Sequence, residues 1–264
     1  MLINATFVGM SESKLILVCN DDGITAPGIR SLVKVARSFG EVVVVAPDKP
    51  QSAMGHAITI NATLRVQKLN VDGIAEYACS GTPVDCVKLA VNKILNRKPD
   101  LLVSGINHGS NASINVIYSG TMSAAMEGAL ECIPSIGFSL NNHSIEADFT
   151  TSEMVARNII QTALKKGIPE GTCLNVNIPD VSPDLLKGVK VCRQAVANWE
   201  EEFDERIDPA GRTYYWLTGK FKNYDTGTDT DIWALENNYV SVVPCQFDIT
   251  AHRHLDFFSD WQHV

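Results

Sequence analysis

The chain of 264 residues has no run of about eighteen apolar residues, so no segment has the make-up of a membrane-spanning helix. No positive charge precedes Lys14, so the first residues lack the cationic start of a secretory signal. No C-x-x-C pair occurs. The seven cysteines, at 19, 79, 86, 132, 173, 192 and 245, are odd in number and sit mostly inside apolar runs. That pattern reads as reduced, buried thiols, and it disfavours a disulfide framework. These absences together point to a cytoplasmic protein without a membrane partner. Basic charge is also scarce: the net charge is −8, which argues against a surface for duplex nucleic acid. A small nucleotide is still allowed, because one local cationic centre can hold a phosphate. Neither G-x-x-x-x-G-K-[ST] nor G-x-G-x-x-G follows the first apolar run, which disfavours a P-loop NTPase and a dinucleotide reader. There are no internal repeats, low-complexity tracts or inter-domain linkers.

What is present is ordinary globular material, 45% hydrophobic and 20% charged, enough for one large α/β domain or a domain with an appendage. "KLILVCN" (14–20) and "EVVVVAP" (41–47) are continuous apolar runs, as in strands buried on both faces. Between them Pro27 suits a first helical turn, and Ile29, Leu32, Val33 and Ala36 recur at helical spacing. This β-α-β order implies a parallel sheet. Segment 57–69 alternates like an exposed strand or hairpin arm. Helices are expected at 81–95, 121–131 and 151–167, and strands at 99–105, 133–140 and 173–179, with a long Asn-, Gly- and Ser-rich loop over 106–120. After about residue 190 two β-arms flank the turn "DPAG", then a short helix and a last strand follow. All four tryptophans and four of six tyrosines fall in 199–264. Such an arm either packs on a partner subunit or covers its own core. The expected divisions are an N-terminal extension (1–13), an α/β core (14–189) and a C-terminal extension (190–264).

Two adjacent carboxylates, Asp21 and Asp22, follow the first strand. Like charges repel there, so the pair needs open solvent or a cation. From this loop alone, capping the next helix and binding a metal stand even. In open parallel sheets ligands bind beyond the carboxyl ends of the strands. There the second strand delivers Asp48 and Ser52, and the third delivers Ser104, Asn107 and Asn111. Two carboxylates, a hydroxyl and carboxamides are hard oxygen donors, which favours Mg²⁺, Mn²⁺ or Ca²⁺ over zinc. Ser119, Gly120 and Thr121 open a helix, whose N–H groups form an anion site, although an ordinary N-cap explains Ser119 or Thr121 equally. Metal beside anion suggests phosphate chemistry. A D-x-D phosphatase with an aspartyl nucleophile is disfavoured, because Asn20 stands where that nucleophile would be. Attack by a metal-activated water is preferred. Asn20 is read as orienting the aspartates, and Asp48 as a turn cap or supporting partner. His108 and His56 are candidates to protonate the leaving group, but each reads more readily as a surface-loop histidine, and neither is counted among the site residues.

The motifs "ILVCNDDGITAPGI", "VVVVAPDKPQSAMGHAIT", "GTPVDCVKLA", "PDLLVSGINHGSN", "YSGTMSAAMEG", "NVNIP" and "GTDTDIWALENNYVSVVP" run in chain order from about residue 14 to about residue 250. Together they resemble the SurE (survival protein E) family of nucleotidases. The resemblance implies an α/β fold with a Rossmann-like, mostly parallel sheet, helices on both faces, and a C-terminal extension used for homodimer or homotetramer contacts. It implies a metal-dependent phosphomonoesterase acting on nucleoside 5′- and 3′-monophosphates, sometimes also on polyphosphate. The family's metal ligands fall on Asp21, Asp22, Ser52 and Asn107, for one Mg²⁺ or Mn²⁺, with Ca²⁺ as a substitute. Its phosphate contacts fall on Asn111, Ser119, Gly120 and Thr121. A broader acid phosphatase or exopolyphosphatase with the same site, or a non-catalytic nucleotide-binding module, are the rival readings. Three departures stand out: Ala53 after Ser52, and Ala112-Ser113 after Asn111, where the family has glycine, and Asn238 at a helix end where it also has glycine. A β-carbon at either of the first two could narrow the pocket. Asn238 tolerates a left-handed cap.

Overall fold

The first strand, β1 (Leu15–Cys19), is buried along its whole length. It lies in parallel between β2 (Glu41–Pro47) and β5 (Leu101–His108). A computed structural model describes residues 13–263, so the expected extension at 1–13 lies almost wholly outside the described residues. On the β2 side, β4 (Ile74–Cys79) adds in parallel and β3 (Val66–Val71) closes the edge antiparallel to it. On the β5 side, β6 (Ser135–Leu140) and β7 (Thr172–Ile178) add in parallel. β11 (Val240–Gln246) then runs antiparallel to β7, and β8 (Val189–Val191) pairs with β11 at the far edge. The order β3-β4-β2-β1-β5-β6-β7-β11-β8 makes one nine-stranded, mostly parallel sheet. The chain moves outward from β1 to β2 and β4, then returns to β5 on the other side of β1. That reversal opens a crevice above the carboxyl ends of β1 and β5.

Helices cover both faces, as the resemblance implies. Ile16 and Val18 point into one core with Ile29, Leu32 and Val33 of α1 (Pro27–Ala36) and Val155 and Ile160 of α4 (Thr150–Lys166). Leu15, Leu17 and Cys19 point to the other face, toward Cys86 and Val87 of α2 (Pro83–Leu89) and Ala124 of α3 (Gly120–Leu130). The alternation is that of a strand buried on both sides. Thr82 and Asp85 form a reciprocal capping box that fixes the start of α2. α2 then widens into a π-type turn over Ala90–Ile94. Gly28 allows α1 to approach β5, since a β-carbon there would collide with the Ile106 carbonyl. All seven cysteines are unpaired thiols.

Several expectations change. Of the alternating segment 57–69 only 66–69 is strand, the start of β3, and the rest of it is loop. β5 extends three residues beyond its expected end because a bulge between Ser104 and Asn107 absorbs one extra residue against β6. Asn107 and His108 therefore sit on a strand rather than in a loop. The expected boundary at 189/190 does not divide the sheet: β11, placed in the C-terminal extension, is an interior strand of the core. What stands apart is the hairpin of β9 (Ala197–Ile207) and β10 (Thr213–Asn223), a separate two-stranded sheet. α5 (Asp231–Glu236) follows it, with Thr230 as a side-chain N-cap. Among the described residues no helix is long and apolar enough to cross a membrane.

The start of the sheet is tied down by charge. Asp100 accepts hydrogen bonds from the Leu15 N–H (2.9 Å), Lys14 Nζ (2.7 Å) and Arg97 (3.0 Å). Partial burial alone would raise its carboxyl, but these three donors outweigh that and bring it down to about 2. A depressed carboxyl stabilises the fold above its unfolded value near 4 and loses that contribution as pH falls toward 2. Asp100→Asn should therefore cost about 1 kcal/mol at pH 7, after discounting for solvent screening. The gap to the parent chain should shrink steadily between pH 4 and pH 2. Denaturant unfolding across that range checks it; a gap independent of pH would contradict it.

Candidate functional site

A cavity of about 640 Å³ opens at the crevice above β1 and β5. Its lining brings together Asp21, Asp22, Ser52, Asn107, Asn111 and Ser119 from four separate segments of chain. Asn20, Gly120 and Thr121 lie behind the lining rather than on it, and Asp48 is exposed elsewhere.

Neither aspartate caps the following helix. The N-cap of α1 is Ala26, with no side-chain hydrogen bond. Asp21 instead is buried, and its Oδ1 accepts a short hydrogen bond from the Thr121 hydroxyl. Burial pushes its carboxyl up to about 6; the Thr121 hydroxyl opposes that rise and the neighbouring Asp22 adds to it. Asp22 Oδ2 accepts from the His108 backbone N–H (3.3 Å) and faces His108 Nδ1 at 3.1 Å. Among the described residues no lysine or arginine pairs with either aspartate within 4.0 Å. Two carboxylates so placed, one of them desolvated, need a cation to remain charged together.

The remaining donors suit a hard ion. Asn107 spends its Nδ2 on the Gly109 carbonyl (2.8 Å), which leaves its Oδ1 as the free donor. Ser52 is exposed on the loop after β2, whose course is fixed by the Gln51 N–H bonding to the Asp21 carbonyl (2.8 Å). Asn20 Nδ2 donates to the Gly23 carbonyl (2.9 Å) and fixes the turn. Its buried Oδ1 has no partner among the described residues. Two carboxylates, a carboxamide oxygen and a hydroxyl on one wall fit a divalent cation of the Mg²⁺ or Mn²⁺ type. Histidine and cysteine form no ligand cluster there, and the described residues hold no group of three or more His, Cys, Asp or Glu side chains arranged for a metal. A site of this kind draws half its donors from Ser and Asn.

Directly against Asp21 lies the N-terminus of α3. Ser119 is its N-cap, its hydroxyl accepting from the Met122 N–H (3.0 Å). Gly120 and Thr121 carry the next N–H groups of the first turn, but both are buried behind the wall against Asp21. The Thr121 hydroxyl and N–H both serve the Asp21 carboxylate, so of the expected phosphate contacts at this turn only Ser119 reaches the cavity. Gly120 is required by closeness: a β-carbon there would stand 2.6 Å from the Asp21 β-carbon.

Two residues escaped the sequence reading. Asn177 Oδ1 accepts from the Asn111 N–H (2.8 Å), and Asn175 Nδ2 donates to the Asn111 carbonyl (2.9 Å). The two are joined to each other at 2.9 Å, and Asn111 Nδ2 reaches Ser139 Oγ at 2.8 Å. Buried carboxamides on β7 thus hold the loop that carries Asn111. The available signal was two asparagines at i and i+2 in a buried strand, inside "NVNIP". The cavity also takes in Trp199, Phe221 and Leu235, from segments the sequence could not bring near it. Of the two candidate histidines, His108 lines the cavity, whereas His56 is held at Glu127 (2.9 Å) outside it.

Comparison with known proteins agrees with this geometry. The family model described as "Survival protein SurE" matches residues 16–201. The 5′-nucleotidase SurE of Flavobacterium psychrophilum is 61% identical over 249 residues, covering 94% of this chain and 97% of that protein. The 5′-nucleotidase SurE of Phocaeicola vulgatus is 45% identical over 252 residues, covering 95% and 97%. The crystal structure of the SurE protein from Aquifex aeolicus superposes with a TM-score of 0.83 at 39% identity, covering 94% of this chain and 99% of that one.

Removing the Thr121 hydroxyl tests how the acidic pair is held. Thr121→Val keeps the shape and deletes the donor to Asp21. Mn²⁺ affinity, read by calorimetry, should fall roughly tenfold or more with the fold intact, the usual cost of losing a partner of a ligand. Unchanged affinity would contradict the assignment.

Proposed function

The chain belongs to the SurE family, and on that premise we propose that it is a metal-dependent nucleotidase hydrolysing nucleoside 5′- and 3′-monophosphates to nucleoside and phosphate. It is a hydrolase of phosphomonoesters. The observation that carries the reading is the juxtaposition, in one cavity, of an acidic pair, Asp21 buried and Asp22 partly so, that no lysine or arginine among the described residues neutralises, and the Ser119 cap of a helix N-terminus.

In this proposal Asp21, Asp22, Ser52 and Asn107 hold one divalent cation, Mg²⁺ or Mn²⁺. When bound, that ion supplies charge neutralisation at the phosphoryl group and a water acidic enough to attack phosphorus. The chain's own residues do the rest. The Ser119 hydroxyl and the Asn111 carboxamide, which line the cavity, receive the phosphoryl oxygens as negative charge develops, with the positive end of α3 behind them. Their positions are set in advance by the Ser119 cap and by the Asn175–Asn177 pair, so little reorganisation accompanies reaction. Asn20 is a positioning residue that fixes the turn carrying both aspartates. Asp21 or Asp22 accepts the proton of the attacking water. His108 is a positioning residue that holds Asp22 through its backbone N–H and Nδ1; its Nε2 is buried and unpartnered among the described residues.

The hairpin beyond its root exposes Phe203, Ile207, Trp216 and Leu217, and it is read here as the arm through which copies of the chain associate into a dimer or tetramer. Location in the cytoplasm follows from the cysteine usage.

Phosphate release from nucleoside monophosphates and a short polyphosphate, with Mn²⁺ or Mg²⁺ and with a chelator, tests the reading. Release should depend on metal and fall at least about a hundredfold in Asp21→Asn. Metal-independent release, or none from any phosphomonoester, would sink it. Replacing the hairpin beyond the facing pair Glu200 and Lys220 by a short turn should lower the sedimentation mass while turnover persists. A variant that keeps the parent mass would remove the arm from the interface.

A further inference from the structure

The cavity lining is of two unlike kinds. Carboxylates, carboxamides and Ser119 come from the ends of β1, β5 and the start of α3, while Trp199, Phe221, Ile232 and Leu235 come from the hairpin and α5. Resting on the nucleotidase reading, we propose that the hairpin and α5 side of the lining is the nucleobase subsite, with the Trp199 ring as its stacking platform.

Trp199 and Phe221 face each other across the β9–β10 pair, their rings 5.5 Å apart and inclined at 65°. Trp199 Nε1 donates to Asn115 Oδ1 at 2.8 Å, which fixes the indole's tilt. Trp199 is still 42% exposed, so aromatic surface is left open on the cavity lining. Such a ring, anchored on its polar edge and by an aromatic neighbour, is ready to accept a second flat ring with little loss of rotamer freedom.

The root of the hairpin is built into the core. Asp231, fully buried, accepts from the Ser113 N–H (2.7 Å) and the Ala195 N–H (2.9 Å). The Ser113 hydroxyl donates to the Ala195 carbonyl (2.9 Å). These bonds join the loop carrying Asn111, the start of β9 and the start of α5. The spacing between the phosphoryl contacts and the Trp199 ring is therefore fixed, as recognition of both ends of one substrate requires.

Stacking reads a π-face rather than a hydrogen-bond pattern, so the subsite accepts every base and favours the larger purines. It also separates nucleotides from sugar phosphates that lack a base. The discriminating experiment measures KM and kcat of the full chain for a purine nucleoside monophosphate and for ribose 5-phosphate, in parent, Trp199→Ala and Trp199→Phe. Trp199→Ala should raise KM for the nucleotide roughly tenfold, with kcat changed less than about twofold. KM for ribose 5-phosphate should move less than about twofold, and Trp199→Phe should restore most of the nucleotide KM. Equal losses for both substrates, or no change for either, would overturn the subsite while leaving the nucleotidase reading intact. If the parent chain turns over neither substrate, the nucleotidase reading fails and this inference falls with it.

Discussion

The site is organised by a charge problem at the end of β1. The sheet reverses its winding there, so the carboxyl ends of β1 and β5 part and leave a crevice. Into that crevice the chain places Asp21 and Asp22, the first buried and pushed up to about 6 by its burial. A stability argument alone would not keep such a pair. The surrounding details serve to hold it: Thr121 bonds Asp21, His108 bonds Asp22, Asn20 fixes the turn, and Gly120 lets α3 approach closely enough for Thr121 to do so. In the reading proposed above, a divalent cation would neutralise this pair and serve the phosphoryl group as well.

The departures from the family's glycines acquire a common physical reading. Ala53, Ser113 and Asn238 all have left-handed backbone, with φ of 59°, 54° and 64°. Glycine is the unstrained choice at each, and a β-carbon there costs on the order of 1 kcal/mol. Ser113 offsets that cost with the hydrogen bonds that lock the hairpin root to the core. It lies off the cavity wall, so the expected narrowing of the pocket at this loop does not occur. Ala53 does line the cavity, beside Ser52. Asn238 adopts the left-handed helix end that its side chain tolerates.

Much of the core was legible because its signals are local. The runs at 15–19 and 41–47 carry no polar residue but Glu41, and the capping pair Thr82 and Asp85 marks a helix start three residues apart. The loops that deliver Asp21, Ser52 and Asn107 could be placed once the strands were. What was missed depends on long-range packing. β4 holds a buried Glu76, acceptable only because Arg30, far away in sequence, reaches it at 2.7 Å. The β5 bulge, the support of Asn111 by Asn175 and Asn177, and the return of Trp199 to the cavity each join segments dozens of residues apart. β11 was assigned to an appendage because aromatic composition dominated its neighbourhood, whereas its apolar run Val240–Val243 belongs in the sheet.

The central claim is that one divalent cation neutralises the acidic pair at the β1–β5 crevice. Anomalous diffraction from crystals of the full chain soaked in Mn²⁺ tests it most directly. The account predicts one strong peak within bonding distance of oxygens of Asp21, Asp22, Ser52 and Asn107. A crevice without a peak, or a peak that leaves either aspartate out, would contradict it.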